Sequence, residues 1–159
     1  MQNRILRGLL IDDEQVVLSS YQKALRDYSI DLCTFDKPIE ALRYLNENLK
    51  SAEQIIEKVD FLFCDFSMPD MNGIELFNSL PDFYKENVPC VLHSGSLPIN
   101  EIPSGVEYFH YLEKPILMEE LVKYIRAQVQ KHHDEIIVPK KEPLLVFKKS
   151  SENDKKNPV

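Results

Sequence analysis

The sequence lacks any apolar run approaching the ~18 residues that a membrane helix needs. Arg4 and Arg7 stand where a signal peptide would require uninterrupted apolar residues. These absences lead to the expectation of a cytoplasmic chain that does not insert into membranes. Cysteine is scarce: Cys33, Cys64 and Cys90 are odd in number, lie inside apolar runs and show no C-x-x-C spacing. They read as reduced core residues of a cytosolic protein, not as a disulfide framework or a zinc site. A basic stripe is also missing. The net charge is −7, made of −9 over residues 1–134 and +2 over 135–159. An acidic body repels phosphate backbones, and the lysines of the tail are broken up by acids and prolines, so no nucleic-acid partner is expected. Internal repeats are absent, and so are low-complexity runs before the tail.

What remains is ordinary globular material. A chain of 159 residues, 43% hydrophobic and 28% charged, has the size and composition of one domain with a substantial core. Short apolar runs alternate with longer amphipathic ones, the pattern of βαβ units with a parallel sheet. Strands are expected over 5–11, 31–35, 61–65, 88–94 and 106–112. The runs Leu9-Leu10-Ile11 and Phe61-Leu62-Phe63-Cys64 are apolar without alternation, as in strands covered on both faces. Helices are expected over 14–27, with Val17, Tyr21, Ala24 and Tyr28 as the inner stripe, and over 38–49, with Pro38 in the first turn. Two more should span 73–83 and 116–131, the last with Leu121, Ile125 and Val129 on one face. Residues 50–59 should lengthen the second helix or add a turn. The fourth helix is curtailed, because Pro98 and Pro103 leave room for only a turn or two.

Chemistry in open α/β sheets gathers beyond the carboxyl ends of the strands. Four of the expected strands end in useful polar residues: Asp12-Asp13, Asp65, Ser94 and the pair Lys114-Pro115. With strand order 2-1-3-4-5, the first and third strands are neighbours and three carboxylates meet. Crowded carboxylates need a cation, and oxygen ligands select a hard one such as Mg²⁺, which accepts phosphate oxygens as further ligands. Asp65 would then be a nucleophile, Lys114 and the ion would offset growing charge, and the Ser94 hydroxyl would bond a phosphoryl oxygen. Each residue alone has an ordinary explanation as a turn, cap or surface group. The coincidence of all of them at strand ends favours the joint reading.

At this point the chain resembles the response-regulator receiver domains of two-component signalling. The matching pieces are Leu10-Ile11-Asp12-Asp13-Glu14, Asp65-Phe66-Ser67-Met68-Pro69-Asp70-Met71-Asn72-Gly73, Leu92-His93-Ser94-Gly95 and Tyr111-Leu112-Glu113-Lys114-Pro115. The resemblance spans about residues 4–132 and implies a flavodoxin-like, doubly wound five-stranded parallel sheet. It also implies that Asp65 is the phosphoacceptor and that Asp12, Asp13, Asp65 and the backbone carbonyl of Ser67 are the Mg²⁺ ligands, Asp12 directly or through water. The resemblance further implies that Lys114 pairs with the phosphate, that the Lys114–Pro115 bond is cis, and that Ser94 and Tyr111 form the switch pair. The implied partners are a histidine kinase or phosphotransfer protein upstream and a protein target downstream.

Other residues read more plainly. Gly73 is expected to let the backbone turn into a helix, Met68 and Met71 to pack a loop, and His132-His133 to face a helix C-terminus. His93 should point away from Ser94, under a helix, and His110 should be a surface or strand-packing residue. A haloacid-dehalogenase-type hydrolase would need D-x-D after its first strand, whereas Asp12 and Asp13 are adjacent and position 67 is Ser. A non-phosphorylated relative would have lost an acid or the lysine, and all are present. The expectation is therefore a signalling module, not an enzyme. The receiver unit is expected over 1–134. The tail 135–159 should be mostly mobile, too short for a DNA-binding output domain, with Leu144-Leu145-Val146-Phe147 as a docking segment near the shortened fourth helix or on a partner's sheet edge.

Overall fold

The computed structural model describes residues 4–51, 54–55, 58–95 and 109–135. Five strands, β1 (Leu6–Ile11), β2 (Ile30–Phe35), β5 (Phe61–Asp65), β6 (Cys90–Ser94) and β7 (Phe109–Glu113), form one sheet in the order β2-β1-β5-β6-β7, with every pairing parallel. Counting only these strands, the order is 2-1-3-4-5, the flavodoxin-like arrangement expected. The helices are α1 (Gln15–Arg26), α2 (Pro38–Asn48), α3 (Gly73–Asn78), α4 (Asp82–Asn87) and α5 (Met118–Glu135). Successive strand residues face opposite sides, so the continuous apolar runs feed two cores at once. Leu9, Ile11, Leu62, Cys64, Leu92 and Tyr111 pack with α2, α3 and α4. Leu10, Phe61, Phe63, Val91 and Leu112 pack with α1 and α5.

One close fit in the second layer depends on a glycine. A Cβ on Gly8 would lie 2.2 Å from the Phe61 ring, so the bare backbone of β1 makes room for a fully buried aromatic. The stripe expected on α5 holds, with Leu121, Ile125 and Val129 all buried and Val122 beside them. That on α1 is corrected. Leu18 and Leu25 are the buried residues, while Val17, Tyr21, Ala24 and Tyr28 are half-buried, because the helix is rotated by about a quarter-turn relative to the chosen stripe.

Two further corrections concern local structure. Residues 50–59 do not extend α2. Among the described residues there are β3 (Leu49–Ser51), which starts directly after α2, and β4 (Gln54–Ile55), a small antiparallel pair. The helix expected over 73–83 breaks into α3 and α4, since Pro81 cannot continue the hydrogen-bond ladder and instead precedes the first turn of α4. The buried Tyr84 then ties α4 to α2, its hydroxyl accepting from Asn48 Nδ2 at 3.1 Å and donating to the Leu45 carbonyl at 3.2 Å. The curtailed fourth helix and the tail segment 144–147 lie outside the described residues. Among the described residues no helix is long and apolar enough to cross a membrane. Of the cysteines, Cys64 and Cys90 are buried as expected but Cys33 is exposed, because it stands on the edge strand β2.

Candidate functional site

Asp12 follows β1, and Asp65 ends the adjacent strand β5. Parallel pairing of the two strands brings their carboxyl ends together. Side-chain oxygens of Asp12, Asp13 and Asp65 consequently lie within 4.8 Å of one another. Asp12 is buried, Asp65 half-buried and Asp13 exposed, so the cluster opens to solvent on one side.

Among the described residues the cations are too few for these acids. Lys114 Nζ lies 3.3 Å from Asp65 Oδ1 and 3.8 Å from Asp12 Oδ2, one ammonium for three carboxylates. Burial raises the Asp12 carboxyl above the usual carboxylate range. The Glu14 amide, donating to Oδ1 at 2.8 Å, opposes this, and the charges of Asp65 and Asp13 add to it. Asp65 is likewise raised by burial, with Lys114 pulling it down and Asp13 pushing it up. Crowded oxygen donors whose charges are only partly balanced suit a hard divalent cation.

Lys114 is held from the backbone. Its N–H donates to the Ser94 carbonyl at 2.8 Å, and its bond to Pro115 is cis, as the resemblance implied. Ser94 ends β6, the strand next to β5, and is buried. Tyr111 is also buried, on β7, and its hydroxyl donates to the Ser94 carbonyl at 3.2 Å, so the ring lies inward behind the serine. Ser67 sits two residues beyond Asp65 with its side chain exposed. The structure thus brings together Asp12, Asp13, Asp65 and Lys114, with Ser94 and Tyr111 on the next strands.

The loop after Asp65 is tightly built. Asn72 and Glu75 form a reciprocal capping box, at 2.9 and 2.8 Å, that starts α3. Gly73 donates its N–H to the Phe66 carbonyl, and a Cβ there would lie 2.6 Å from the Asp65 carbonyl oxygen. This glycine serves close approach to the Asp65 backbone, not the backbone turn expected of it: Asp70, at φ 69°, makes the left-handed step in this loop. Met68 and Met71 are half-buried and pack on the α2–α3 core, as loop packing requires.

His93 turns away from Ser94, as alternation dictates, into the α1–α5 layer. Its ring packs 4.9 Å from Phe63 and edge-on to Tyr21 at 6.1 Å. Burial, with help from the Lys114 charge, lowers its pKa to about 3. His110 packs edge-on against Tyr124. His132 and His133 occupy the last turn of α5, where His132 Nε2 lies 3.1 Å from the Glu86 carbonyl. Sequence reasoning missed Tyr21 as a neighbour of the site. Its phenol is raised by burial, lowered by Lys114 and raised by Asp12, which places it within the electrostatic reach of the cluster. The signal was its position on the inward side of the helix that follows Asp13.

The model of the response regulator receiver domain matches residues 9–126. The chain belongs to this family. It is a receiver domain of two-component signalling, a class of signalling modules. Similar proteins include the transcriptional regulatory protein PrrA of Mycobacterium tuberculosis, 28% identical over 127 residues that make up 79% of this chain and 50% of that protein. Another is the two-component response regulator ARR11 of Arabidopsis thaliana, 30% identical over 118 residues, 73% of this chain and 21% of that one. The receiver domain thus spans half the length of the first relative and about a fifth of the second. Among solved structures, the receiver domain of the hybrid histidine kinase CckA is 27% identical with a TM-score of 0.60, covering 78% of this chain and 99% of that chain. A receiver domain protein from Clostridium thermocellum, at 21% identity and TM-score 0.68, covers 83% and 98% and shares the fold.

Proposed function

We propose that this receiver domain takes a phosphoryl group on Asp65 in a Mg²⁺-dependent reaction and signals through protein contacts. The supporting observation is the cluster itself: three carboxylates within 4.8 Å of one another and one lysine in reach of two of them. An Asp65 oxygen attacks the phosphorus of the donor, the bond from phosphorus to the donor's leaving group breaks, and an acyl phosphate forms on Asp65. With a histidine kinase or phosphotransfer protein as donor, the leaving group is an imidazole nitrogen. Lys114 lies where it can pair with the phosphoryl oxygens as negative charge builds, and the Ser94 hydroxyl is the hydrogen-bond donor from the next strand. Mg²⁺, when bound, supplies further charge compensation. Asp13, Asp65 and the Ser67 carbonyl would hold it, with Asp12 as a direct or water-mediated ligand. Tyr111, behind Ser94, would read the serine's movement and carry the change toward the surface.

In this reading, residues 1–134 are the receiver unit of a cytoplasmic protein and 135–159 its tail. Val16 and Leu117, 78% and 70% exposed, follow the Asp13 and Lys114 ends of the crevice by three residues each. Large apolar groups left in water there suit the contact with the phosphodonor protein. The test is intact mass after incubation with a small phosphodonor. One phosphate adduct is expected with Mg²⁺ and none with chelator. An adduct of equal yield on Asp65→Asn would overturn the assignment.

A further inference from the structure

The end of the molecule opposite the crevice carries a small groove of 190 Å³, lined by the apolar Val59, Phe83, Val88 and Val129 together with Lys58, Asp60, Asn87 and the two histidines His132 and His133. It lies where the strands begin, between α4, α5 and the residues leading into β5. The volume is below the ~300–1,000 Å³ of a typical small-molecule site, so it suits one large apolar side chain. Phe83 is half-buried there with water on one side. The rim carries both signs: Glu86 and Asp134 are exposed acids, Asp82 lies 3.9 Å from Lys85 on the same helix, and Lys58 and Arg4 surround Asp60 on the other side.

The chain beyond α5 leaves from this same place. His132 is three residues before the last residue of α5, about 4.5 Å along the helix axis. The run Ile136-Ile137-Val138 begins at once and has no length in which to reverse. Leu144-Leu145-Val146-Phe147 is separated from Glu135 by enough chain, up to ~30 Å when extended, to return to the groove. Its flanks are Lys140-Lys141 and Lys148-Lys149, which can reach Glu86 and Asp134 on the side of the rim away from Lys58.

We propose that the segment 144–147 docks into this groove in the same molecule, with Phe147 or a leucine as anchor and the lysine pairs against Glu86 and Asp134. A short tether gives an effective concentration in the millimolar range, so a weak contact suffices. Because the groove is at the opposite end of the sheet from Asp65, docking leaves the phosphorylation site open. The inference is thus independent of the proposed function. The groove is a third place for the segment beside the two expected from sequence, near the fourth helix or on a partner's sheet edge.

Hydrogen exchange on the full chain tests this, with a chain ended at Glu135 and the variant Leu145→Asp/Phe147→Asp as references. Amides of α4 and of the last two turns of α5 should exchange several-fold more slowly in the full chain than in either reference. Raising salt should lessen the difference without abolishing it. The groove-side variant Phe83→Ser, with its fold checked by circular dichroism, should exchange alike with and without the tail. Equal exchange in the full chain and both references overturns the proposal. Protection that grows with protein concentration also overturns it, since the segment would then occupy a second copy. Rates of phosphorylation by a small donor should be the same in all the tail variants, and a change in them would place the segment at the crevice instead.

Discussion

The two ends of the sheet treat buried carboxylates in opposite ways. Asp60, 6% exposed, sits where β5 begins and accepts from the Arg7 amide at 2.8 Å, with Arg4 at 2.7 Å and Lys58 at 3.7 Å. Asp12, 3% exposed, sits where β1 ends and shares one lysine, at 3.8 Å, with Asp65. The same end holds His93, whose buried Nε2 has no hydrogen-bond partner among the described residues. One end is electrostatically closed and contributes to the fold. The other is left, among the described residues, short of positive charge around its acids, which costs stability and suits a site that a cation completes. The comparison separates two acids that burial alone would class together.

The largest effect expected concerns chemistry. Asp65→Asn should take the phosphate adduct from one per chain to none in intact mass while circular dichroism stays unchanged. The amide is nearly isosteric but a poor nucleophile.

Acid should then expose the cost of His93. The folded ring stays neutral down to about pH 3, whereas the unfolded ring takes up a proton below about pH 6.5. The unfolded chain therefore binds more protons in this window, and stability falls as pH falls from about 6.5 toward 3, by about 3 kcal/mol at pH 4. His93→Leu should flatten that part of the denaturation-midpoint profile against pH. A parallel profile in the variant would mean that other groups carry the acid sensitivity.

The two acids can next be set directly against each other. Asp60→Asn should lower stability by about 1–3 kcal/mol, since it breaks charge-assisted bonds at a buried position. Asp12→Asn should raise the melting temperature of the metal-free protein, because it removes a carboxylate whose ionised form is disfavoured there. The same substitution should weaken Mg²⁺ binding by titration. Shifts of the same sign in both metal-free variants would break the comparison. The smallest effect is that of the ion on the wild-type fold. Millimolar Mg²⁺ should raise the melting temperature by a few degrees over chelator, through binding to the folded state alone. Asp13→Asn should reduce that rise.

Much of this architecture is legible in the sequence. The five apolar runs became strands because burial on both faces demands continuous hydrophobicity, and residues 61–65 matched to the residue. The crevice was readable because Asp12-Asp13, Asp65, Ser94 and Lys114 stand at strand ends, where topology must bring them together. Local errors came where competing signals were weak. Residues 50–59 have no strong period, so their folding into β3 and β4 reflects tertiary context. The α1 stripe was misread because Tyr21 and Tyr28 are apolar enough to imitate a core face while their hydroxyls keep them near the surface. Gly73 was assigned to backbone freedom when its φ is ordinary, since only the neighbouring Asp65 carbonyl and Leu92 reveal that the space for a Cβ is taken.

By itself, the sequence determined the strand and helix periods, the acidic balance of the body and the residues that carry chemistry, because these depend on residue type and near neighbours. Which of the buried acids would be compensated was decided only by the tertiary structure. Arg4 lies 56 residues from Asp60, and Lys114 lies 49 from Asp65. No local pattern encodes such distances; the parallel sheet sets them, gathering the acids that stand at its strand ends on one side and enclosing Asp60 with its cations on the other.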